Sequence, residues 1–116
     1  MSRVIDMKKY KLFVYGTLKK GFHNHDFLKY ASYLGERTIK GKMYSYGAFP
    51  YVNIKQNGII HGELYSIDEN TLLDCDSLEG YPSFYSKKEV ITNKNEKVLV
   101  YYINKECNAL IKNGVW

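Results

Sequence analysis

The sequence predicts an α+β fold in which short strands outnumber short helices and the sheet is rolled or closed. Three observations carry that expectation. Short runs of β-branched and aromatic residues recur along the 116 residues, separated by glycine, asparagine and proline turn signals. Helical spacing of apolar residues is confined to two or three short segments. One long twisted sheet would leave its edges unpaired, so many strands in a chain this short favour a sheet that curls on itself.

Residues 1–10 are charged and aperiodic and are expected to form a loose leader, with a single domain over residues 11–116. Lys11–Tyr15 is the first expected strand, because Leu12, Phe13, Val14 and Tyr15 suit a pleated surface. It breaks at Gly16. The run Gly16-Thr17-Leu18 is too apolar for an ordinary solvent loop, and Gly21 follows. A buried strand that stops at glycine leaves N–H groups without ladder partners. A bound carboxylate or oxyanion can supply them; taken alone, the four residues also fit a plain tight turn.

Asn24 is placed to cap a short helix reaching about Ser32, with Phe27, Leu28, Tyr30 and Ala31 as its apolar contacts. Tyr33–Tyr46 reads as extended. Gly47-Ala48-Phe49-Pro50 reads as a turn, and Pro50 excludes a central strand there. Tyr51–Ile54 is a short strand, and Gln56-Asn57-Gly58 signals a turn joining two strands. Ile59–Ile67 is the clearest strand, with Ile59, His61, Glu63, Tyr65 and Ile67 on one face. Asp68 caps the next helix, and Glu69 suits the positive end of its dipole. Leu72, Leu73, Cys75 and Leu78 form the helix's expected apolar stripe, Gly80 ends it, and Pro82 prevents its continuation. Phe84–Thr92 and Lys97–Ile103 read as an antiparallel pair. Cys107–Lys112 is expected as a short terminal helix, with Trp116 packing back on the body.

Composition narrows the function classes. Seventeen Lys and Arg against twelve Asp and Glu give a net charge of +5, but the lysines are scattered, so a nucleic-acid surface is not expected. Twelve tyrosines supply large buried area with hydroxyls that can be satisfied at a pocket wall. Cys75 and Cys107 have no C-x-x-C spacing and read as reduced thiols of a cytoplasmic protein. No run of about 18 apolar residues would span a membrane, and no apolar signal core opens the chain. No feature specifies an oligomeric state.

Two carboxylates stand out. Glu79 lies in Leu78-Glu79-Gly80-Tyr81-Pro82 at the expected helix C-terminus. The negative end of the dipole and the surrounding tyrosines and leucines both favour its neutral form, and so raise its pKa. A general base working near neutral pH needs that shift; an exposed glutamate in a last turn is the plainer alternative. Glu63 sits mid-strand on a face that is otherwise largely apolar, and so is either paired or functional. His23, His25 and His61 have no recognisable metal-ligand spacing, so no metal is expected. The chain has no G-x-S-x-G, no Walker-type loop and no dinucleotide fingerprint, so no cofactor is expected either. Cys75 on the apolar stripe reads as core rather than nucleophile.

Val14-Tyr15-Gly16-Thr17-Leu18-Lys19-Lys20-Gly21, followed by Asn24-His25, resembles the signature loop of the gamma-glutamylcyclotransferase-like proteins, nearest the small gamma-glutamylamine cyclotransferase and AIG2-like branch. Gly62-Glu63-Leu64-Tyr65 is similar to that family's G-E-[VL]-Y strand, and Leu73–Tyr85 to its D-x-x-E-G-Y-P-x-x-Y segment. Val100-Tyr101-Tyr102 and the closing Ile111–Trp116 resemble its last segments. The resemblance implies a small mixed β-barrel flanked by short helices. It places the family's catalytic glutamate on Glu79 and the substrate-holding loop on Tyr15, Gly16, Thr17 and Leu18. It places Tyr85 at the pocket wall. The implied reaction releases an amine from a gamma-glutamyl amide and closes the glutamyl part to 5-oxoproline. In that reaction the substrate's own amine is the nucleophile. A module that holds a small carboxylate ligand without turnover is the alternative reading.

Overall fold

The computed structural model describes residues 8–105 and 109–116. Its strands are β1 (Tyr10–Val14), β2 (Ser32–Lys40), β3 (Lys42–Ser45), β4 (Pro50–Asn53), β5 (Ile59–Ile67), β6 (Ser86–Ile91), β7 (Lys97–Tyr102) and β8 (Leu110–Ile111). A 3-10 turn covers His25–Leu28, and a helix, α1, covers Glu69–Glu79. The larger sheet has the order β2-β5-β1-β7-β6, and the smaller one β4-β3-β8. No helix among the described residues is long and apolar enough to cross a membrane.

β1 lies at the centre of the larger sheet, antiparallel to β5 and parallel to β7. A strand covered on both faces reads as a continuous apolar run, and Leu12, Phe13 and Val14 are all buried. Phe13 packs with Ile60, Leu64, Val98 and Val100, and with Met43 and Val52 of the smaller sheet. Leu12 and Val14 point the other way, into a cluster with Tyr65, Ile67 and the helix residues Leu72 and Cys75. Trp116 packs back onto the first of these clusters, as expected.

The expected closed barrel does not form. Among the described residues no ladder joins the edge strands β2 and β6. At Gly41 the chain leaves β2 for the smaller sheet. The edges are clasped at one place instead. Thr38 N–H donates to Asn93 Oδ1 at 2.9 Å, and Asn93 N–H donates to Thr38 O at 3.0 Å. Beside them Arg37 donates twice to Glu96, at 2.7 and 3.1 Å, and this fork holds the Glu96 carboxyl down at about 2. The turn after β6, rather than β6 itself, reaches β2, and a turn offers too few aligned N–H and C=O groups to continue a ladder.

Other expectations are also corrected. Asn24 opens only the 3-10 turn and makes no side-chain cap; its amide donates to Thr17 Oγ1 at 2.9 Å instead. The Asn57-Gly58 turn links strands of different sheets, since β4 pairs with β3 and β5 with β1 and β2. Cys107 lies outside the described residues, and Leu110–Ile111 is a strand paired with β3 rather than a helix. Tyr10, assigned to the leader, already pairs with Ile67 in β1. Pro50 opens β4, an edge strand, where its missing N–H is tolerated.

α1 begins where Asp68 Oδ1 accepts the Thr71 N–H at 2.8 Å. It ends at Gly80, whose φ of 66° is the left-handed conformation that favours glycine. Leu72 and Cys75 are buried, whereas Leu73 is 55% exposed and does not belong to the docked stripe. Leu72→Ala should therefore cost about 2–5 kcal/mol and Leu73→Ala less than about 1 kcal/mol, read from urea unfolding midpoints. Equal losses would mean that the helix docks on a different face.

Candidate active site

The loop after β1 is built around Gly16. A Cβ there would lie 2.7 Å from Pro50 Cγ, so only glycine lets the strand end pack against β4. The loop carbonyls are engaged. Gly16 O accepts from Lys19 N–H and Thr17 O from Asn24 N–H, both at 3.0 Å, and Leu18 O lies 2.9 Å from His25 Nδ1. The N–H groups of Gly16, Thr17 and Leu18 find no acceptor among the described residues. At the loop's far end Lys20 N–H donates to Glu63 Oε1 at 2.9 Å.

On α1, Leu72, Cys75, Asp76 and Glu79 recur at helical spacing and share the face turned to the sheet. Asp76 accepts the Tyr101 hydroxyl at 2.6 Å and two bonds from Lys87 Nζ at 2.7 and 2.9 Å. These bonds tie the end of the helix to β7 and β6. The main chain then doubles back, Phe84 N–H donating to Gly80 O at 2.7 Å and Tyr85 N–H to Glu79 O at 3.3 Å.

Together these elements enclose a niche of about 30 Å³ lined by Tyr15, Gly16, Thr17, Leu18, Glu79 and Tyr85, with Phe49, Pro50 and Tyr101. That is room for a group the size of a carboxylate or an oxyanion. An adjoining chamber of about 160 Å³ shares Thr17, Phe49, Glu79 and Tyr85 with it. The six residues that the family resemblance assigns to the site, Tyr15, Gly16, Thr17, Leu18, Glu79 and Tyr85, thus line one cavity. Sequence reasoning missed Phe49, Pro50 and Tyr101. A signal for the first two was present, since Ala48-Phe49-Pro50 is as apolar for a turn as Gly16-Thr17-Leu18 is for a loop.

Burial pushes the Glu79 carboxyl up to about 7. Nothing nearby offsets that burial. Tyr15 donates its hydroxyl to Tyr101 O at 2.7 Å, Tyr101 to Asp76 and Tyr85 to Pro50 O, so none of the three donates to Glu79. Burial, and then neighbouring charge including that of Glu79, holds the Tyr15 and Tyr85 hydroxyls well above the ordinary phenol value. The Cys75 thiol is pushed up to about 12 by burial and by Glu79, which suits core packing rather than attack.

Glu63 does not join this cavity. It lines a shallower groove of about 460 Å³ with Glu36, Arg37 and His61. Its Oε1 is already taken by Lys20 N–H and by the Tyr65 hydroxyl at 2.9 Å. The larger space therefore holds a satisfied carboxylate, and the smaller one an unsatisfied carboxylate facing free amides. The face of β5 that carries Glu63 is also less apolar than expected, with Ile59 63% exposed. Among the described residues no three His, Cys, Asp or Glu side chains are placed to hold a metal.

The family profile described as "Gamma-glutamyl cyclotransferase, AIG2-like" matches residues 12–116. The chain belongs to this family. A relative from Methanocaldococcus jannaschii, whose name assigns it provisionally to the gamma-glutamylcyclotransferases, is 37% identical and covers 89% of this chain and 92% of its own. The gamma-glutamylcyclotransferase family protein YtfP of Escherichia coli K12 is 32% identical, covering 91% of this chain and 95% of its own. A crystal structure of a Pyrococcus horikoshii protein superposes with a TM-score of 0.78 at 30% identity, covering 91% and 88% of the two chains. The mouse AIG2-like protein, at 21% identity, shares the fold with a TM-score of 0.81 over 93% of this chain and 88% of its own.

A carboxyl raised from 4.5 to about 7 by folding binds its proton more tightly in the folded state. Below the unfolded value both states are protonated and there is no penalty. The penalty grows as pH rises from about 4.5 to about 7 and is complete above that. Glu79→Gln should therefore be more stable than the parent chain by about 1–3 kcal/mol near pH 8 and equal to it near pH 4, measured by urea titration at both values. A variant less stable near pH 8 would show that the carboxylate is held by donors in solution.

Proposed function

We propose that this protein is a cyclotransferase that releases an amine from a gamma-glutamyl amide and forms 5-oxoproline. The observation that carries this reading is the placement of Glu79, desolvated and unpaired, across a small niche from the free N–H groups of Gly16, Thr17 and Leu18. The family supports it, and so do the names of relatives.

The substrate's α-amine attacks its own γ-carbonyl carbon. A C–N bond forms, the carbonyl oxygen takes the negative charge, and the amine nitrogen carries a surplus proton. The amide C–N bond then breaks, the leaving nitrogen takes up that proton, and the carbonyl is restored within the five-membered ring. No water, enzyme nucleophile or oxidant enters the balance. The α-amine has a pKa of about 8, so deprotonating it at neutral pH costs only about 1.4 kcal/mol. A base alone therefore supplies little of the rate. Holding the glutamyl chain in its cyclising conformer and binding the oxyanion contribute more, an oxyanion donor being worth about 3–4 kcal/mol. The amides of Gly16 to Leu18 are assigned to the oxygens and Glu79 to the proton transfer. The Tyr15 and Tyr85 rings form the walls.

Glu79→Gln should still bind 5-oxoproline but release it from substrate at least about a hundredfold more slowly. Turnover within about threefold of the parent chain would remove Glu79 from the mechanism. For the parent chain, kcat/KM should climb about tenfold per pH unit below about pH 7, where Glu79 is still protonated in part, and then level off. A site that only held its ligand would bind 5-oxoproline and release none from any gamma-glutamyl amide.

A further inference from the structure

The loop amides owe their direction to whatever holds the carbonyls beside them. In a trans peptide the C=O of one residue and the N–H of the next point in opposite directions. Gly16 O is taken by Lys19 N–H and Thr17 O by Asn24 N–H, so the Thr17 and Leu18 N–H groups are turned away from those bonds. Both residues line the niche. In the next two peptide units side chains take over the anchoring. The Leu18 carbonyl lies 2.9 Å from His25 Nδ1, and because a carbonyl only accepts, Nδ1 carries the hydrogen. The N–H of the same unit, that of Lys19, makes the bond to Gly16 O. One residue further on, Lys20 N–H donates to Glu63 Oε1.

Tyr65 joins the two anchors. Its hydroxyl donates to the same Glu63 Oε1 at 2.9 Å, and its ring lies 5.8 Å from the His25 ring. Burial, and then Glu63, hold that hydroxyl well above the ordinary phenol value, so it remains a donor. Tyr65 and Glu63 sit on β5, which pairs on both sides, so the anchors stand on a rigid element. Lys20 is caught a second time by its ammonium, 4.7 Å over the Tyr33 ring, and Tyr33 packs on Tyr65 at 5.4 Å. Glu63, Tyr65 and His25 line neither the niche nor the adjoining chamber. They reach the reacting atoms only through the loop.

Resting on the cyclotransferase reading, we propose that Glu63, Tyr65 and His25 are positioning residues of the reaction, a brace behind the loop that keeps the Thr17 and Leu18 N–H groups aimed at the oxyanion as it forms. A loop leaving a strand end is otherwise among the more mobile parts of a chain. A displacement of about 1 Å in such a donor costs on the order of a hundredfold in rate. The oxyanion develops only in the transition state, so loss of the brace falls on kcat and leaves KM nearly unchanged.

The test separates the acceptor at Glu63 from its charge. Glu63→Met keeps the length of the side chain and removes the acceptor. Glu63→Gln removes the charge and keeps an oxygen at the point where both bonds meet. Substrates are glutathione, gamma-glutamyl-ε-lysine and gamma-glutamyl butylamide, with rates referred to folded protein. Glu63→Met should lower kcat about tenfold to a hundredfold with KM within about threefold, and Glu63→Gln should bring kcat back to within about threefold of the parent chain. His25→Ala should fall in the same way, and His25→Asn, whose amide offers a donor near the Nδ1 position, should recover. An unchanged kcat in Glu63→Met would mean that the contact serves stability alone, and overturns the proposal. So does a Glu63→Gln as slow as Glu63→Met, because the reaction would then use the charge. A second readout needs no turnover. In the ligand-free protein the backbone order parameters of Thr17 and Leu18 should be about 0.85 in the parent chain and fall toward about 0.6 in Glu63→Met and Tyr65→Phe, by nitrogen-15 relaxation. Unchanged order parameters overturn the brace whatever the enzyme does. Absence of 5-oxoproline from the parent chain with all three substrates overturns the cyclotransferase reading, and the order parameters decide separately whether the loop is braced.

Discussion

Asp76 is the contact on which the geometry of the cavity depends. It lies three residues before Glu79 on the same face of α1 and takes Tyr101 from β7 and Lys87 from β6 at once. A helix end tends to fray, and a single turn of drift would carry Glu79 away from the loop amides. The ion pair is largely shielded, with side-chain exposures of 13% and 16%, so it is screened less than a surface pair. The β7 backbone presents the Tyr101 carbonyl that accepts the Tyr15 hydroxyl, so the same strand that is tied to Asp76 also holds a wall of the niche.

The cavity is a place where the fold gives up stability. Glu79 is buried without a partner, and three amides of an apolar loop have no acceptor among the described residues. Each is a cost that a purely structural arrangement would have removed, because three tyrosine hydroxyls stand nearby and could have been turned to the carboxylate. They are committed to Tyr101 O, Asp76 and Pro50 O instead. The stability that tolerates this comes from the apolar clusters on the two faces of β1. Glu63 shows the contrast: on a neighbouring strand of the same sheet, a carboxylate that steadies the loop is satisfied twice.

Local chemistry was legible where it is decided within a few residues. Asp68 capping α1, Gly80 ending it and the turn between β6 and β7 depend on side chains and dihedrals close in sequence. Periodicity was less reliable. It put Leu73 on the docked face, because the stripe was drawn from apolar residues alone, while the docked face carries Asp76 and Glu79 at its far end. Asparagine suits a cap, but the Asn24 side chain makes no cap bond and is turned instead to the preceding loop, where its amide donates to Thr17 Oγ1. The closed barrel failed for a non-local reason, since whether two edge strands meet in register depends on the curl of the whole sheet.

From its residues alone the chain determined that a buried strand runs through Leu12–Tyr15, that it must stop at Gly16, and that a carboxylate stands at the end of the next long helix. These follow from side-chain size, backbone freedom and helix capping, which act over a few residues. Only the tertiary structure decided that the helix end lies across from the loop. It also decided that Pro50 closes on Gly16 and that Glu63 is satisfied while Glu79 is not. Those outcomes depend on which groups from distant strands arrive within hydrogen-bond reach, and desolvation of a carboxyl is a property of everything packed around it.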